Sequence, residues 1–198
     1  MSNPRQPAHP IDPLFTERWS PRAFTEEAIA EPALMSLLEA ARWAPSAYNV
    51  QPWRFIYARR DTAAWQPIFD SLVEFNQMWT KRAAALVVIA SAREAVFPGK
   101  TEPVPNASHA FDAGAAWASL AFQAQLSGWS AHAMAGFDAG KLRTAIGLPE
   151  MYAIDTVVAV GRKGDPAVLP EGVRAREVPS DRRPLAESAF EGKFGAQG

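Results

Sequence analysis

Cysteine is absent from the 198 residues. That excludes disulfides, thiolate nucleophiles and zinc or iron–sulfur sites built on cysteine. Histidine is scarce, and His9, His109 and His132 are spaced in a way that suggests no metal cluster. The opening residues MSNPRQPAHP lack the apolar stretch of a secretory leader, and no apolar run reaches membrane-spanning length. A cytoplasmic protein with no membrane partner is the expectation. No excess of one charge exists either: 20 Lys and Arg stand against 21 Asp and Glu, so nothing global draws the chain to nucleic acid. No glycine-rich loop of the dinucleotide type follows a candidate strand, and there is no nucleophile elbow or Ser-His-Asp pattern. What is present is an ordinary globular composition, 48% hydrophobic, in a length suited to one domain spanning 1–198. Seven Trp and eleven Phe suit a core, an interface or a flat binding surface.

Residues 1–13 are polar and proline-rich and read as an extended arm. Pro32 suits a first helical turn, and Leu34, Leu37, Leu38 and Ala41 then recur at helical spacing until Pro45 closes the helix. The run Arg54–Arg59 reads as a strand. Asp61 is the expected N-cap of a helix carrying Trp65, Ile68, Phe69, Leu72 and Val73 on one side. Leu86–Ala90 (LVVIA) has the continuous apolar character of a buried strand. A Pro/Gly-rich loop over 97–108 precedes Ala110–Ser127, a nearly all-apolar helix whose one charge is Asp112. Such a helix belongs in a core or a dimer interface. Asp138 caps a shorter helix closed by Gly147 and Pro149, and Asp155–Val160 reads as another buried strand. From about Lys163 to 198 the chain is rich in Pro, Arg and Glu and reads either as disordered or as an extended arm laid on another surface. The order of elements implies an α+β domain, a central sheet packed by helices.

Five segments could carry chemistry. Arg18-Trp19-Ser20-Pro21-Arg22 offers two guanidinium forks and a hydroxyl, the groups a phosphate accepts from. Each charge-assisted bond of that kind contributes roughly 1.5–3 kcal/mol, although in isolation these five residues read first as a solvated basic turn. Ala44–Trp53 is a loop bracketed by Pro45 and Pro52 and holding Ser46, Ala47, Asn49 and Gln51; it is either a binding element or a stiff connector. Asn76 is an amide suited to the edge of a planar heterocycle or to a helix C-cap. Met134-Ala135-Gly136-Phe137-Asp138 sits before a helix N-terminus, and its glycine allows close backbone approach. Arg182-Arg183 in the tail is an anion site or solvated charge. No acid–base pair stands out. His109 and His132 read as core or interface residues, and Asp112 as structural.

In their order, these segments resemble the nitroreductase family of FMN-dependent oxidoreductases over about Phe15–Phe194. The resemblance implies a three-layer α/β/α fold with a mostly antiparallel central sheet, in an intertwined homodimer whose N- and C-terminal arms pack on the partner subunit. It assigns Arg18, Trp19, Ser20 and Arg22 to the FMN phosphate, ribityl chain and pyrimidine. Pro45, Ser46, Ala47 and Asn49 would contact FMN held mainly by the other subunit. Asn76 would meet the pyrimidine edge, and the backbone of Met134, Ala135 and Gly136 would face N5 and O4. Arg183 would return to the phosphate. NADH or NADPH is the implied donor and a small nitroaromatic, quinone or related molecule the acceptor, with ping-pong kinetics. Flavin N5 carries the hydride, so no protein residue is assigned as catalytic. Relatives of this fold also dehydrogenate or dehalogenate, and a non-catalytic FMN carrier or sensor stays open. Two departures bear on substrate range: Trp79 stands where some members have lysine, and Ala135 where some have glutamate.

Overall fold

The computed structural model describes residues 5–195. In chain order the helices are α1 (Pro13–Glu17), α2 (Glu31–Arg42), α3 (Trp65–Phe69), α4 (Glu74–Thr80), α5 (His109–Leu126), α6 (Ala139–Ile146) and α7 (Glu171–Arg174). The strands are β1 (Trp53–Arg59), β2 (Ala85–Ala92), β3 (Glu94–Ala95), β4 (Val104–Pro105), β5 (Ser130–Met134) and β6 (Tyr152–Gly161). Four of them form one sheet in the order β1-β2-β6-β5, with every neighbouring pair antiparallel. β3 and β4 make a separate small ladder.

Alternation along the two central strands explains why both read as unbroken apolar runs. Ala85, Val87 and Ile89 of β2 and Val158 and Val160 of β6 face one layer, where Leu34 and Leu37 of α2 and Ala116 and Leu120 of α5 cover them. Leu86, Val88, Val157 and Ala159 face the other, against Phe24, Trp65, Ile68, Trp79 and Leu142. A strand covered on both faces has no solvent side to mark with polar residues. The three layers and the antiparallel sheet agree with expectation. A bulge between Ile89 and Ala90 leaves Asp155 of β6 without a register partner on β2.

Three local expectations are corrected. Asp61 is not an N-cap: it takes φ 65° in a turn, and the single helix expected after it is two short ones, α3 and α4. β5 was not expected; its sequence SAHAM is too short and too mixed to show a strand pattern, and pairing with β6 creates it. The side of α5 that packs on its own chain is buried, as expected. Ala113, Ala116, Leu120, Ala121 and Ala124 are buried, whereas Phe111 and Leu126 are 82% and 69% exposed. The caps of α6 match: Asp138 Oδ1 accepts from the Lys141 amide at 2.9 Å, and Gly147 ends the helix at φ 62°, a left-handed turn that glycine adopts without strain. The stretch after Lys163 starts by packing on its own chain, since Leu169 and Val173 are buried in the second core. No helix among the described residues is long and apolar enough to cross a membrane.

Candidate functional site

The Arg18–Arg22 segment leaves α1 in extended conformation and is fixed from several directions. Arg5 donates through Nη1 to the carbonyls of Thr16 (3.1 Å) and Arg18 (2.8 Å), and through Nε to that of Ser180 (2.7 Å). The N-terminal arm, the Arg18–Arg22 segment and the C-terminal segment therefore meet at one place. Further along, Thr25 donates to the Arg162 carbonyl (3.0 Å) and Gly164 to the Ala23 carbonyl (2.7 Å). Gly164 has to be glycine for that approach, because a Cβ there would sit 2.9 Å from the Phe24 carbonyl carbon. Lys163 Nζ lies 5.5 Å from the centroid of the Trp19 ring.

These contacts frame a cavity of about 280 Å³ lined on one side by Arg18, Trp19, Ser20, Arg22 and His132. Arg176, Val178, Ser180 and Arg182 line it on the other, with Arg5 at the junction. Arg18 Nη1 donates to Ser20 Oγ at 3.3 Å. Arg18 and Ser20 also border a second hollow of about 290 Å³, walled by Trp117, Ala118, Ala121 and Phe122 of α5 and Ala133 of β5.

The electrostatics of the first cavity are one-sided. Five arginines line it, and no carboxylate does among the described residues. Burial, and then the charges of Arg5 and Arg182, hold the Arg18 guanidinium below its ordinary pKa. Burial does the same to Arg22, with Arg176 adding to the effect and Glu177 opposing it. Arg22 Nε is buried and has no hydrogen-bond partner among the described residues. A buried unpaired donor of a charged group is costly, and an anion in the cavity would relieve both that cost and the arginine repulsion. Burial pushes His132 down to about 4; backbone of Pro21 and Ser20 pulls the other way, and Arg22 and Arg18 add to the fall. The ring is therefore neutral near pH 7. Its Nδ1 lies 3.0 Å from the Pro21 carbonyl, which can only accept, so Nδ1 carries the hydrogen. Its face packs on Trp79, ring centroids 4.6 Å apart.

A second group of the expected residues forms a tight backbone junction. Val73 N and Asn76 Nδ2 both donate to the Gly136 carbonyl, at 3.0 and 2.9 Å. Asp138 N donates to the Ser71 carbonyl at 2.8 Å, and Leu72 bridges Phe137. A Cβ on Gly136 would stand 2.6 Å from Asn76 Nδ2 and 2.9 Å from Val73 Cγ2. The glycine is required here by Asn76 itself, a reason that sequence could not supply. Met134 is buried at the end of β5, next to Ala135.

The loop Ala44–Trp53 lines different hollows. Tyr48, Asn49, Val50 and Gln51 border a groove of about 600 Å³ together with Phe97 and Lys100. Tyr48, Asn49 and Gln51 hold φ of 51°, 56° and 51°, left-handed values that cost non-glycine residues roughly 1–2 kcal/mol each. Three bonds oppose that strain. Gln51 N donates to Ser46 Oγ (3.0 Å), Gln51 Nε2 to the Asn49 carbonyl (3.1 Å), and Ala47 N to the buried Asp112 carboxylate (3.2 Å). Asp112 also accepts from Ser108 Oγ at 3.3 Å, so it ties the loop to the start of α5. Tyr48 stays 76% exposed, edge-on to Phe97 at 5.7 Å.

Within one chain, Arg18, Trp19, Ser20 and Arg22 thus come together, Asn76 joins Met134–Gly136, and Pro45, Ser46, Ala47 and Asn49 lie on a separate loop. Arg182, rather than its neighbour Arg183, lines the arginine cavity; Arg183 borders the adjoining groove with His9 and Leu185. Sequence reasoning passed over Arg5, Arg176, Glu177 and Ser180. The only signal for them was the density of arginine in a segment with no periodicity. His132 was read as core or interface, and it is both buried and cavity-lining.

The model of the Nitroreductase family matches residues 15–76 and 60–162 of this chain. The chain is 28% identical over 193 residues to an NADH dehydrogenase of Thermus thermophilus, covering 84% of this chain and 90% of that one. It is 35% identical over 144 residues to an uncharacterised 15.4 kDa protein of Mycolicibacterium smegmatis, covering 72% and 97%. Among solved structures, an oxidoreductase containing FMN superposes with a TM-score of 0.94 at 44% identity, over 100% of this chain and 99% of the other. An FMN complex from Desulfovibrio desulfuricans gives a TM-score of 0.73 at 25% identity, over 93% and 99%.

Proposed function

The chain belongs to the nitroreductase family, and from that premise we propose that it is an FMN-dependent oxidoreductase that takes electrons from NADH or NADPH and reduces a small organic acceptor, nitroaromatic or quinone in type. The observation that carries this is the cavity with five arginines, no lining carboxylate among the described residues and a buried, unpartnered Arg22 Nε. Those features fit a phosphate dianion with a polyol attached. Arg18, Ser20 and Arg182 would hold the phosphate, so Arg182 takes the role first assigned to Arg183. Arg22 and Trp19 would follow the chain toward the ring, and Asn76 with the Met134–Gly136 backbone would border the ring system.

When bound, FMN supplies two-electron redox chemistry between a nicotinamide donor and the acceptor. The protein's part is position and electrostatics: Arg22 stabilises negative charge developing beside it. His132 is neutral and donates to Pro21, so it shapes the wall without carrying a proton to the reaction at neutral pH. Donor and acceptor would occupy one face in turn, which gives ping-pong kinetics.

The site is completed by a second copy of the chain. Pro45, Ser46, Ala47 and Asn49 lie on a strained loop that lines a different hollow from Arg18, and the outer face of α5 exposes Phe111 and Leu126. Pairing α5 with its copy would cover that face and bring each loop to the other chain's cavity. The test is a visible spectrum of the purified protein, repeated anaerobically with NADH and then NADPH, beside light scattering. A flavin spectrum that bleaches, from a particle of twice the chain mass, is expected. A colourless protein that cannot be reconstituted with FMN would overturn the proposal, and a flavin-loaded monomer would overturn the shared site.

A further inference from the structure

Glu177 is a buried carboxylate beside the arginine cavity that does not line it. It is 2% exposed. Its two oxygens accept from Arg22 N at 2.9 and 3.0 Å, and Oε1 also accepts from Ala23 N at 2.9 Å. Those amides have no strand partner, because the Arg18–Arg22 segment lies outside the sheet. A buried carboxylate bound to adjacent amides is a strong clamp. It joins residues 155 apart in sequence.

The clamp has consequences for the cavity on either side of it. Arg176 precedes Glu177, and Val178, Ser180 and Arg182 follow; all four line the cavity opposite Arg18 and Ser20. Past Glu177, the described chain holds only partly buried or exposed residues. Ser180 accepts from Arg5, and beyond that the segment has little apolar surface to hold it down. Two of the five cavity arginines, Arg176 and Arg182, are thus delivered by a segment whose buried anchor at this point is Glu177. Arg182 repels Arg5 and Arg18, and Arg176 repels Arg22, a force that Asp181 and Glu177 of the same segment oppose. An anion in the cavity reverses the sign of that force.

We propose that Glu177 is a positioning residue that latches the C-terminal segment over the arginine cavity, so that docking of this segment and retention of a phosphate-bearing ligand are one linked equilibrium. That the ligand is FMN rests on the function proposed above. By linkage, anything that binds only the docked form protects it by the factor 1 + [L]/Kd, about a hundredfold at 100 times Kd.

The test is limited trypsin digestion of the full chain, cutting after Arg176 and Arg182, titrated with FMN and separately with inorganic phosphate. FMN affinity is measured in parallel by fluorescence quenching. For the wild type, cleavage of the segment slows in proportion to bound FMN. Glu177→Gln keeps the shape but sets an NH₂ against an amide; it weakens FMN by about tenfold and speeds segment cleavage in step, while the rest of the domain stays trypsin-resistant. Glu177→Asp, which keeps the charge, recovers part of both. A Glu177→Gln variant with wild-type FMN affinity overturns the latch. So does wild-type cleavage that bound FMN does not slow, a result that needs no variant to fold. Protection by phosphate in a chain whose fluorescence titration shows no FMN binding keeps the latch and overturns the FMN reading. A wild type protected by neither overturns both.

Discussion

The Arg18–Arg22 segment and the Ala44–Trp53 loop carry the two most distinctive motifs of the chain, and the fold treats them in opposite ways. The first is strapped down by its own chain: Arg5, Glu177, Arg162 and Gly164 all bond its backbone or that of the residues just after it. Its side chains are partly buried around a preformed cavity with one unmet donor, Arg22 Nε, among the described residues. The second is held in left-handed strain at three residues, tied by Asp112, and leaves Tyr48 exposed. A segment whose needs are met within the chain is preorganised for a ligand. A segment kept strained and open is not explained by its contacts among the described residues. Half a site on each is what the proposed dimer requires.

The largest expected effect tests the first region. Arg18→Ala or Arg22→Ala removes a charge-assisted partner of the ligand; at roughly 1.5–3 kcal/mol per bond, FMN binding should weaken about 10- to 100-fold by fluorescence titration. Wild-type affinity in both would erase the contrast between the regions.

Next is acid stability. His132 titrates at about 4 in the fold against 6.5 free. Between those values the unfolded chain binds the proton and the folded chain does not, so stability falls as pH drops from 6.5 toward 4, by at most about 3 kcal/mol. Urea unfolding at pH 7 and pH 4.5 should show the loss, and His132→Gln should shrink it. An unchanged pH slope in that variant would mean that other groups carry the effect.

At the junction next to the first region, Gly136→Ala forces a Cβ against Asn76 and Val73 and should cost about 1–3 kcal/mol in urea unfolding. The second region should respond with the opposite sign. Asn49→Gly relieves a left-handed residue and should stabilise the chain by up to about 1 kcal/mol while weakening dimer assembly or turnover. A variant that is both more stable and fully active would show that the strain serves no function. Smallest is Asp155→Asn on β6. Burial pushes this carboxyl's pKa up, against the Ser91 hydrogen bond and the charges of His109 and Arg93. Its charge is therefore a liability that grows as pH rises, and the variant should gain a few tenths of a kcal/mol at pH 7.

Local physics made much of this legible before any tertiary information. The proline and leucine spacing of α2, the apolar runs of β2 and β6, the Asp138 cap and the Gly147 stop each have a cause within a few residues, so each could be read from the sequence. The motif residues Arg18, Ser20, Arg22, Asn49, Asn76 and Gly136 stood out through the order of their segments, which resembles the nitroreductase family; taken singly, each segment also allowed a purely structural reading. β5 was missed because strand character there comes from the β6 edge and not from SAHAM. Asp61 was misread because an aspartate that caps a helix and one that tolerates a left-handed turn look alike. That Arg182 and not Arg183 lines the arginine cavity was out of reach, since neighbouring residues in an aperiodic segment point by backbone path alone.

The sequence by itself determined a central sheet packed by helices and the kinds of groups available to the site, because periodicity and side-chain chemistry are local properties. Only the tertiary structure decided which arginines converge, that Glu177 clamps the Arg22 and Ala23 amides, and that Gly136 must make room for Asn76. Those facts depend on residues far apart in the chain meeting within a few ångströms, and long-range contact leaves no trace in a single sequence.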